Sequence, residues 1–593
     1  MCRIAGLVSN RLTEGEIKTK VQTMCDSLQH GGPDDQGMYY HHEARMALGN
    51  RRLSIIDLSI NGHQPMADDL KKTWITYNGE IYNYRELRTE LLRLGVKFNS
   101  NTDTEVVLQA YLHWGAAAFA RLKGMFAFAL YDGAKEQLLL VRDTNGIKPL
   151  YYYISNGQLA FASEIKAFKR AGLTNATNEN WQVWLLAMGN VPEPYTTLKD
   201  VFNLPKGHYL NWNKNGTYSI NDYTAPGVVN YITDKNVAEA GINDLLQKAV
   251  TRQLIADAPI GVFLSGGIDS SLITLLADQH KEQELKTLSV FFDEKNYDER
   301  IYQDTVSSKI TGQSFKYLIK QQDFEQYLPD ILKAMDMPTT DGINTWFISK
   351  YAHQAGLKAV LSGLGADELF GGYPSFDRIK YLQYLKKFPS WLGAIAGSFN
   401  DRFKKLDYLA YNHPLADYLF LRGLYTPDLI AQILDADELE VNNILFGVNT
   451  FPDLGPYNKQ HAAWFELNLY MQNQLLRDTD VMSMSHSLEV RVPFLDEDFR
   501  DFVEQIDPAI RFDDHQPKKL LIDSFKTLLP ENVWNRPKMG FTFPLQQWMM
   551  NNKNICDESL YKGKSAKALI KKFKNDKIHW SRAFALYLVQ THV

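Results

Sequence analysis

The chain is poor in cysteine and has no long apolar run. Its three cysteines are Cys2, Cys25 and Cys556, and so small and odd a set argues against a disulfide framework and predicts a cytoplasmic protein. No stretch reaches about 18 apolar residues without a charge, so we expect no membrane span. The first residues also lack the basic and apolar regions of a secretory signal.

The chain has no basic excess either. It carries 64 Lys and Arg against 69 Asp and Glu, for a formal net charge of -5. Nucleic-acid-binding proteins neutralise phosphates with a surplus of cations, so we expect no nucleic-acid partner. Hydrophobic residues make up 45% of the 593 residues, which is ordinary for a globular protein with several domains.

The pattern of apolar residues divides the chain into three parts. Residues 1–195 contain recurrent β-branched and aromatic runs with two helical segments, which predicts an α+β sandwich. Residues 196–235 are rich in turn residues and are predicted to form short strands and a connector. Residues 236–593 begin with strands that alternate with helices, which predicts an α/β parallel sheet, and end in a helical C-terminal region. That region includes a helical insertion at about 385–460, whose aromatic residues are predicted to be core more readily than a partner surface.

Cys2 is a candidate nucleophile because of its position. If Met1 is removed, Cys2 carries a free α-amino group beside its thiol. An α-amine has a pKa near 8, so its neutral fraction can accept the thiol proton. A small residue that merely follows Met1 is the alternative on position alone.

Several ordered segments decide between these alternatives. They are Cys2–Gly6, His30–Asp34, Arg52–Asp57, Asn78–Asn83 and Thr102–Glu105. Together they resemble the glutaminase domain of the asparagine synthetase family, a class II glutamine amidotransferase with an N-terminal-nucleophile (Ntn) hydrolase fold. The resemblance covers nearly all of residues 1–170.

The resemblance implies a role for each polar residue of this set. Asn78 and the N–H of Gly79 would donate to the oxyanion of a thioester-forming step with Cys2. Arg52 would bind the α-carboxylate of glutamine. Glu80 and Asp103 would bind its α-ammonium group. One departure is Gly31, where the family has arginine, and we expect it to loosen a loop near the glutamine pocket.

A second constellation follows the predicted buried strand at 259–264. Its loop contains Ser265, Gly266, Gly267, Asp269 and Ser270 and opens a helix, an arrangement that points backbone N–H groups at an anion. It lacks the Gly-Lys-Ser/Thr ending of a Walker A loop. The loop resembles the pyrophosphate loop of ATP pyrophosphatases, which cleave ATP to AMP and pyrophosphate.

The same resemblance assigns further ATP-site residues. Ser362 and Gly363 would contact the adenylate, and the backbones of Leu264 and Val290 would support the adenine. Asp367 would join Asp269 in holding Mg²⁺, for which two carboxylates shared with phosphate oxygens are suitable ligands.

A catalytic lysine completes the set. Lys518 matches the family's lysine better than its neighbour Lys519, and it would neutralise charge in the transition states. A solvated helix lysine is the alternative.

The implied activity is an ATP-dependent amidation of a carboxylate, with glutamine as nitrogen donor and an acyl-adenylate intermediate. Aspartate is the first candidate acceptor, which would give asparagine, AMP, diphosphate and glutamate. Leu364 and Val481 depart from the family, which has an acidic residue and an arginine there. The alternatives are a uronic acid of a surface polysaccharide or a secondary-metabolite acid, and a non-catalytic scaffold. Family members are often homodimers, so a homodimer is a further expectation.

Overall fold

A computed structural model describes residues 2–224, 230–281, 284–387, 403–447, 451–537 and 539–591. Of the predicted helical insertion at about 385–460, residues 388–402 and 448–450 lie outside this range. No helix among the described residues is long and apolar enough to cross a membrane.

Twelve strands form two antiparallel sheets of six. The first has the order β10-β8-β9-β1-β3-β2 and the second the order β12-β11-β7-β6-β5-β4. The strands are β1 (Arg3–Ser9), β2 (Asp35–His41), β3 (Met46–Arg52), β4 (Met66–Ala67), β5 (Thr73–Ile81), β6 (Gly124–Asp132), β7 (Gln137–Arg142), β8 (Tyr151–Ser155), β9 (Gln158–Ala162), β10 (Val201–Asn203), β11 (His208–Asn213) and β12 (Tyr218–Asp222).

A third sheet has five strands, all paired in parallel, in the order β15-β14-β13-β16-β17. Its strands are β13 (Ile260–Phe263), β14 (Lys286–Phe291), β15 (Gln313–Leu318), β16 (Ala359–Leu361) and β17 (Glu489–Arg491).

The described α-helices surround these sheets. Those of the first 260 residues are α1 (Glu14–Ser27), α2 (Tyr84–Arg93), α3 (Asp103–Trp114), α4 (Lys166–Arg170), α5 (Trp181–Met188) and α6 (Lys235–Gln253). Those around the parallel sheet are α7 (Ile268–His280), α8 (Arg300–Ser307), α9 (Gln321–Ala334), α10 (Ile343–Gln354), α11 (Ala366–Phe370) and α12 (Ser375–Leu385).

The C-terminal region is mostly helical, as predicted. Its α-helices are α13 (Pro414–Arg422), α14 (Pro427–Leu434), α15 (Glu438–Phe446), α16 (Lys459–Phe465), α17 (Arg477–Met484), α18 (Glu497–Glu504), α19 (Pro508–Arg511), α20 (Lys519–Ser524), α21 (Glu531–Trp534), α22 (Leu545–Asn551), α23 (Lys564–Lys574) and α24 (Trp580–Thr591). A π-helix at Glu466–Leu476 joins α16 to α17.

Alternation of side chains along the strands builds the sandwich. In β6, Ala127 and Ala129 belong to the core between the two sheets, whereas Phe126 and Phe128 belong to the core beneath α2 and α3. Successive side chains of a strand point to opposite faces, so both faces of this strand must be apolar. All nine residues of β6 are buried. The α+β sandwich predicted from the sequence is confirmed.

Residues 201–222, which we predicted to form short strands and a connector, contribute three short strands to the two sheets of the sandwich. Strand β10 pairs with β8, and β11 pairs with β7. Turn residues dominate the sequence here because these strands are only three to six residues long. Their pairing partners lie about 50 to 70 residues earlier in the chain, so the local sequence does not reveal them.

The parallel sheet sets the place of a ligand cleft. Chain order runs outwards from β13 through β14 to β15 on one side, while β16 and β17 lie on the other. The loops after β13 and β16 therefore diverge at a crevice beyond the carboxyl ends of the strands, where parallel sheets bind ligands.

Buried charges join the sandwich to the parallel-sheet domain. Asp480, in α17, accepts a hydrogen bond from Arg3 Nη1 at 2.7 Å and one from Lys148 Nζ at 3.1 Å. All three side chains are at most 2% exposed. Arg3 also donates through Nε to Glu164 at 2.7 Å. The positive and negative charges of these side chains neutralise one another, as buried charges require.

We predict that Asp480→Asn destabilises the junction between the domains. The change leaves the buried ammonium of Lys148 without an anionic partner, which costs about 3–5 kcal/mol for a buried pair. Differential scanning calorimetry should show the first unfolding transition at a lower temperature. Asp244→Asn is the matched control, because Asp244 and Lys248 form an exposed pair that contributes about 0–1 kcal/mol. Equal effects of both changes would contradict the prediction.

Candidate active sites

The first candidate site surrounds Cys2, at the start of β1. The Cys2 thiol is buried, and its backbone N–H donates to Asn78 Oδ1 at 3.1 Å. A small cavity beside it is lined by residues from four of the five predicted segments of the glutaminase motif, with none from His30–Asp34. These residues include Cys2, Arg52, Gln64, Tyr77, Gly79, Glu80, Thr102 and Asp103. The structure thus brings together side chains that are up to 101 positions apart in the sequence.

Two neighbouring residues of β5 lie at this site: Gly79 lines the cavity, and Asn78 accepts the backbone N–H of Cys2. Asn78 Nδ2 is buried and has no hydrogen-bond partner among the described residues, which is costly unless a ligand accepts the bond. At position 79 a Cβ atom would lie 2.2 Å from the carbonyl oxygen of Met125. Glycine is therefore required where β5 passes β6, and the backbone beside Asn78 stays open to a substrate. These features suit an oxyanion site.

Arg52 is fixed at the end of β3 before any substrate binds. Its guanidinium donates to the carbonyl oxygens of Ile56, Asp57 and Ser59 at 3.2, 2.5 and 3.1 Å. Gly62 packs so closely that a Cβ atom there would lie 1.9 Å from Arg52 Nη2. The planar cation is therefore held firmly at the wall of the cavity.

Glu80 and Asp103 place two carboxyl groups in the same buried pocket. Burial and the charge of Asp103 raise the pKa of Glu80 well above its ordinary value, and burial raises the pKa of Asp103. The guanidinium of Arg491 is close to Glu80, with Nη2 3.8 Å from Oε1. An ammonium group between the two carboxylates would lower both pKa values, because an opposite charge favours the ionised form. Burial likewise raises the pKa of the Cys2 thiol.

The position of Arg3 explains why residue 31 is a glycine in this chain. A Cβ atom at position 31 would lie 2.6 Å from Cγ of Arg3. The buried side chain of Arg3 occupies the space that an arginine at 31 would need. Gly31 itself is buried in the short 3-10 turn Gln29–Gly31. The glycine therefore makes room for the side chain of Arg3, a role that differs from the predicted loosening of the loop.

The second candidate site is a cleft of about 840 Å³ at the crevice of the parallel sheet. Its wall contains most of the predicted ATP-site residues: Ser265, Gly267, Asp269, Ser270, Ser362, Gly363, Asp367 and Lys518. Gly363 allows the two loops to meet, since a Cβ atom there would lie 2.8 Å from the backbone nitrogen of Ser270. The N-terminus of α7 faces this cleft through residues 268–270, as an anion-binding site requires.

The first loop is held by its own hydroxyl groups and by a distant arginine. The hydroxyls of Ser265 and Ser270 lie 2.9 Å apart, and the backbone N–H of Ser265 donates to Ser270 Oγ at 3.1 Å. Gly266 has φ +85° and accepts a hydrogen bond from Arg536 Nη2 at 3.0 Å. Glycine adopts this left-handed conformation without the cost that other residues incur.

Lys518 lies between the two predicted metal-binding carboxylates. Its Nζ is 2.5 Å from Asp269 Oδ2 and 2.6 Å from Asp367 Oδ1, and these two carboxylates raise the pKa of Lys518 despite its burial. Its φ of 59° is uncommon for a residue other than glycine and is typical of a functional site. Lys519 instead pairs with Asp523 on the next helical turn.

The donor set fits one Mg²⁺ ion shared with a ligand. Two carboxylates that approach the same ammonium group at 2.5 and 2.6 Å lie close enough to bind one cation. No group of three or more His, Cys, Asp or Glu side chains suited to a metal occurs among the described residues. Phosphate oxygens and water would therefore have to complete the coordination, as is usual for Mg²⁺ with nucleotides.

Two predicted adenine-supporting residues do not line this cleft. Leu264 is buried, and its backbone already donates to Leu288 O at 2.8 Å and accepts from Ser289 Oγ at 2.6 Å. Val290 lines a neighbouring cavity of about 320 Å³ that shares Met539 with the cleft.

Sequence reasoning missed two polar residues of the cleft. Arg536 reaches it from the C-terminal region and pairs with Glu299 at 2.8 Å. Glu368 is buried beside Asp367, and burial raises its pKa to about 8. Glu368 follows directly after a predicted ligand, but only its burial distinguishes it from a surface glutamate.

Comparison with known proteins identifies the family. A family model described as asparagine synthase matches residues 241–578, and one described as a glutamine amidotransferase domain matches residues 1–224. "Asparagine synthetase [glutamine-hydrolyzing] 1" of Bacillus subtilis is 31% identical, over 94% of this chain and 90% of the relative. The chain belongs to the glutamine-hydrolysing asparagine synthetase family.

Membership of this family makes the protein an ATP-dependent ligase that uses glutamine for amidation. "Asparagine synthetase [glutamine-hydrolyzing] 3" of Bacillus subtilis is 28% identical, over 95% of this chain and 91% of the relative. "Amidase chry2" of Gibberella zeae is 26% identical, over 90% of this chain and 86% of the relative. The relatives of this chain therefore bear two kinds of name, asparagine synthetase and amidase.

We predict that Asn78→Ala lowers the kcat for glutamine hydrolysis about 10²–10³-fold, the usual cost of one oxyanion donor. The measurement is glutamate release from glutamine. Asn101→Ala is the matched control, because Asn101 is exposed on the loop before α3. Unchanged hydrolysis in Asn78→Ala would remove Asn78 from the oxyanion site.

Proposed function

We propose that the protein amidates a carboxylic acid through an acyl-adenylate, with ammonia that its own Cys2 site releases from glutamine. The observation that carries the proposal is Lys518 between Asp269 and Asp367, in a cleft beside a phosphate-type loop. This arrangement concentrates positive and metal-binding groups where an adenylating enzyme must stabilise phosphate charge.

In the first step Cys2 Sγ attacks the side-chain carbonyl carbon of glutamine. Once Met1 is removed, the α-amine of Cys2 accepts the thiol proton and passes it to the leaving ammonia. Asn78 Nδ2 and the N–H of Gly79 donate to the oxyanion. Arg52 holds the α-carboxylate, and Glu80 with Asp103 hold the α-ammonium. Water then hydrolyses the thioester and releases glutamate.

In the second step a carboxylate oxygen of the acceptor attacks the α-phosphorus of ATP, and pyrophosphate leaves. Ser265, Ser270 and the backbone N–H groups at the start of α7 bind the leaving phosphates. Mg²⁺, when bound by Asp269 and Asp367, supplies charge neutralisation on the phosphates. Lys518 donates to the phosphorane-like oxygens. Ammonia then attacks the acyl carbon, and the acyl–oxygen bond to AMP breaks.

Two acids are candidates for the acceptor. The names of the relatives in Bacillus subtilis favour aspartate. A second candidate, an acid other than aspartate, is favoured by two residues of this chain. Leu364 lines the cleft, and Val481 is buried in α17 next to Asp480. Neither apolar side chain can bind the ammonium or carboxylate of a small amino acid.

We predict that the two sites can be inactivated separately. Cys2→Ala should abolish glutamine-dependent pyrophosphate release and leave the ammonia-dependent reaction intact, because ammonia bypasses the thiol. Asp269→Asn should abolish pyrophosphate release with either nitrogen source and leave glutamine hydrolysis intact, because it removes a carboxylate from the phosphate site. The measurements are pyrophosphate and glutamate release with a panel of acids.

Removal of Mg²⁺ with EDTA should reproduce the Asp269→Asn result. Loss of both reactions in Cys2→Ala would argue against two separate sites. Absence of pyrophosphate release with every acid tested would favour a scaffold over an enzyme.

A further inference from the structure

A second chamber adjoins the ATP cleft. Its volume is about 880 Å³, and it shares Leu364, Asp367 and Tyr373 with the cleft. The far wall comes from α13 and from the start of α24, both in the helical C-terminal region. The cleft alone has the volume of a site for a drug-sized ligand, so the chamber adds space for a second molecule beside ATP.

Arg422, at the end of α13, presents a fixed cation to this chamber. Its Nε donates to Glu466 Oε1 at 2.8 Å, and its guanidinium carbon lies 3.7 Å from the ring centre of Tyr470 and 4.6 Å from that of Tyr373. Its side chain remains 23% exposed. Within the described part of the chain, the Nη atoms donate no hydrogen bond to protein. The outer edge of the guanidinium is thus available for a bidentate contact with a carboxylate.

Asp341 presents an anion to the same chamber. It stands just before α10, and its Oδ1 accepts the N–H of Gly342 at 2.8 Å. Burial raises the pKa of Asp341, and the nearby charge of Arg422 opposes this rise. Arg422 and Asp341 therefore line the same chamber as a cation and an anion, a pattern complementary to a molecule that carries both a carboxylate and an ammonium group.

We propose that the chamber binds the α-amino acid head group of the acceptor, with Arg422 on the carboxylate and Asp341 on the ammonium. This inference rests on the proposed function, since the distal carboxyl group must reach the cleft to be adenylated. Neither residue lines the ATP cleft. The acceptor is accordingly an amino dicarboxylic acid longer than aspartate, and Leu364, which lines both spaces, packs against its methylene chain.

A series of acceptor acids of increasing chain length tests whether the acceptor is longer than aspartate. Pyrophosphate release is measured with ATP, Mg²⁺ and ammonia, using aspartate, glutamate, 2-aminoadipate and 2-aminopimelate, with galacturonate as an acid that lacks the head group. We expect kcat/KM to rise at least tenfold from aspartate to one of the longer amino acids. Aspartate or galacturonate as the best acceptor would overturn the proposal while leaving the proposed amidation intact. No pyrophosphate with any acid, together with no glutamine hydrolysis, would instead overturn the proposed function.

Two variants test the residues. Arg422→Lys keeps the charge but loses the planar fork, and Asp341→Asn removes the anion. Each should raise the KM for the best acceptor at least tenfold, with little change in the KM for ATP or in glutamine hydrolysis. Arg378→Lys is the matched control, because Arg378 is exposed on α12. An unchanged acceptor KM in both variants would overturn the assignment even if the length series succeeded.

Discussion

The position of the nucleophile depends on the buried ion pair between Arg3 and Asp480. Arg3 directly follows Cys2, and its side chain crosses into the parallel-sheet domain to reach Asp480 at 2.7 Å. Both side chains are buried from solvent. Removal of either partner would leave an unpaired buried charge, which is strongly destabilising. Gly31 is part of the same arrangement, because only a residue without a side chain leaves room for Arg3. The thiol is thereby fixed relative to the domain that consumes its product.

A second link joins the two sites through the strand β17. The guanidinium of Arg491 lies near Glu80 in the glutamine pocket, while the carbonyl oxygen of Arg491 accepts the N–H of Ser362 in the ATP cleft at 2.8 Å. Arg491 also donates through Nη1 to Gln253 O and Ile255 O, each at 2.7 Å. A short, fully buried strand therefore touches both sites.

Much of this architecture could be predicted from the sequence because the responsible signals are local. Alternating apolar strands, a thiol at position 2 and a glycine-rich turn before a helix each occupy fewer than ten residues, and their order fits one family. Short strands were predicted for the region of β10 to β12, but their place in the sandwich was not, since β10 and β11 pair with strands far earlier in the chain. Leu264 was predicted to support the adenine through its backbone. That backbone is already hydrogen-bonded to β14, and the sequence does not reveal this pairing.

The sequence by itself predicted the two chemistries, because a thiol at position 2, a glycine-rich loop before a helix and the ordered motifs that carry the family resemblance are all properties of residue type and order. Tertiary structure alone decided which charges meet. It places the ammonium group of Lys518 between Asp269 and Asp367 and turns that of Lys519 towards Asp523. It also brought Arg422 and Asp341 to the same chamber. Electrostatic interactions depend on distance and burial, and neither quantity can be read from the order of residues.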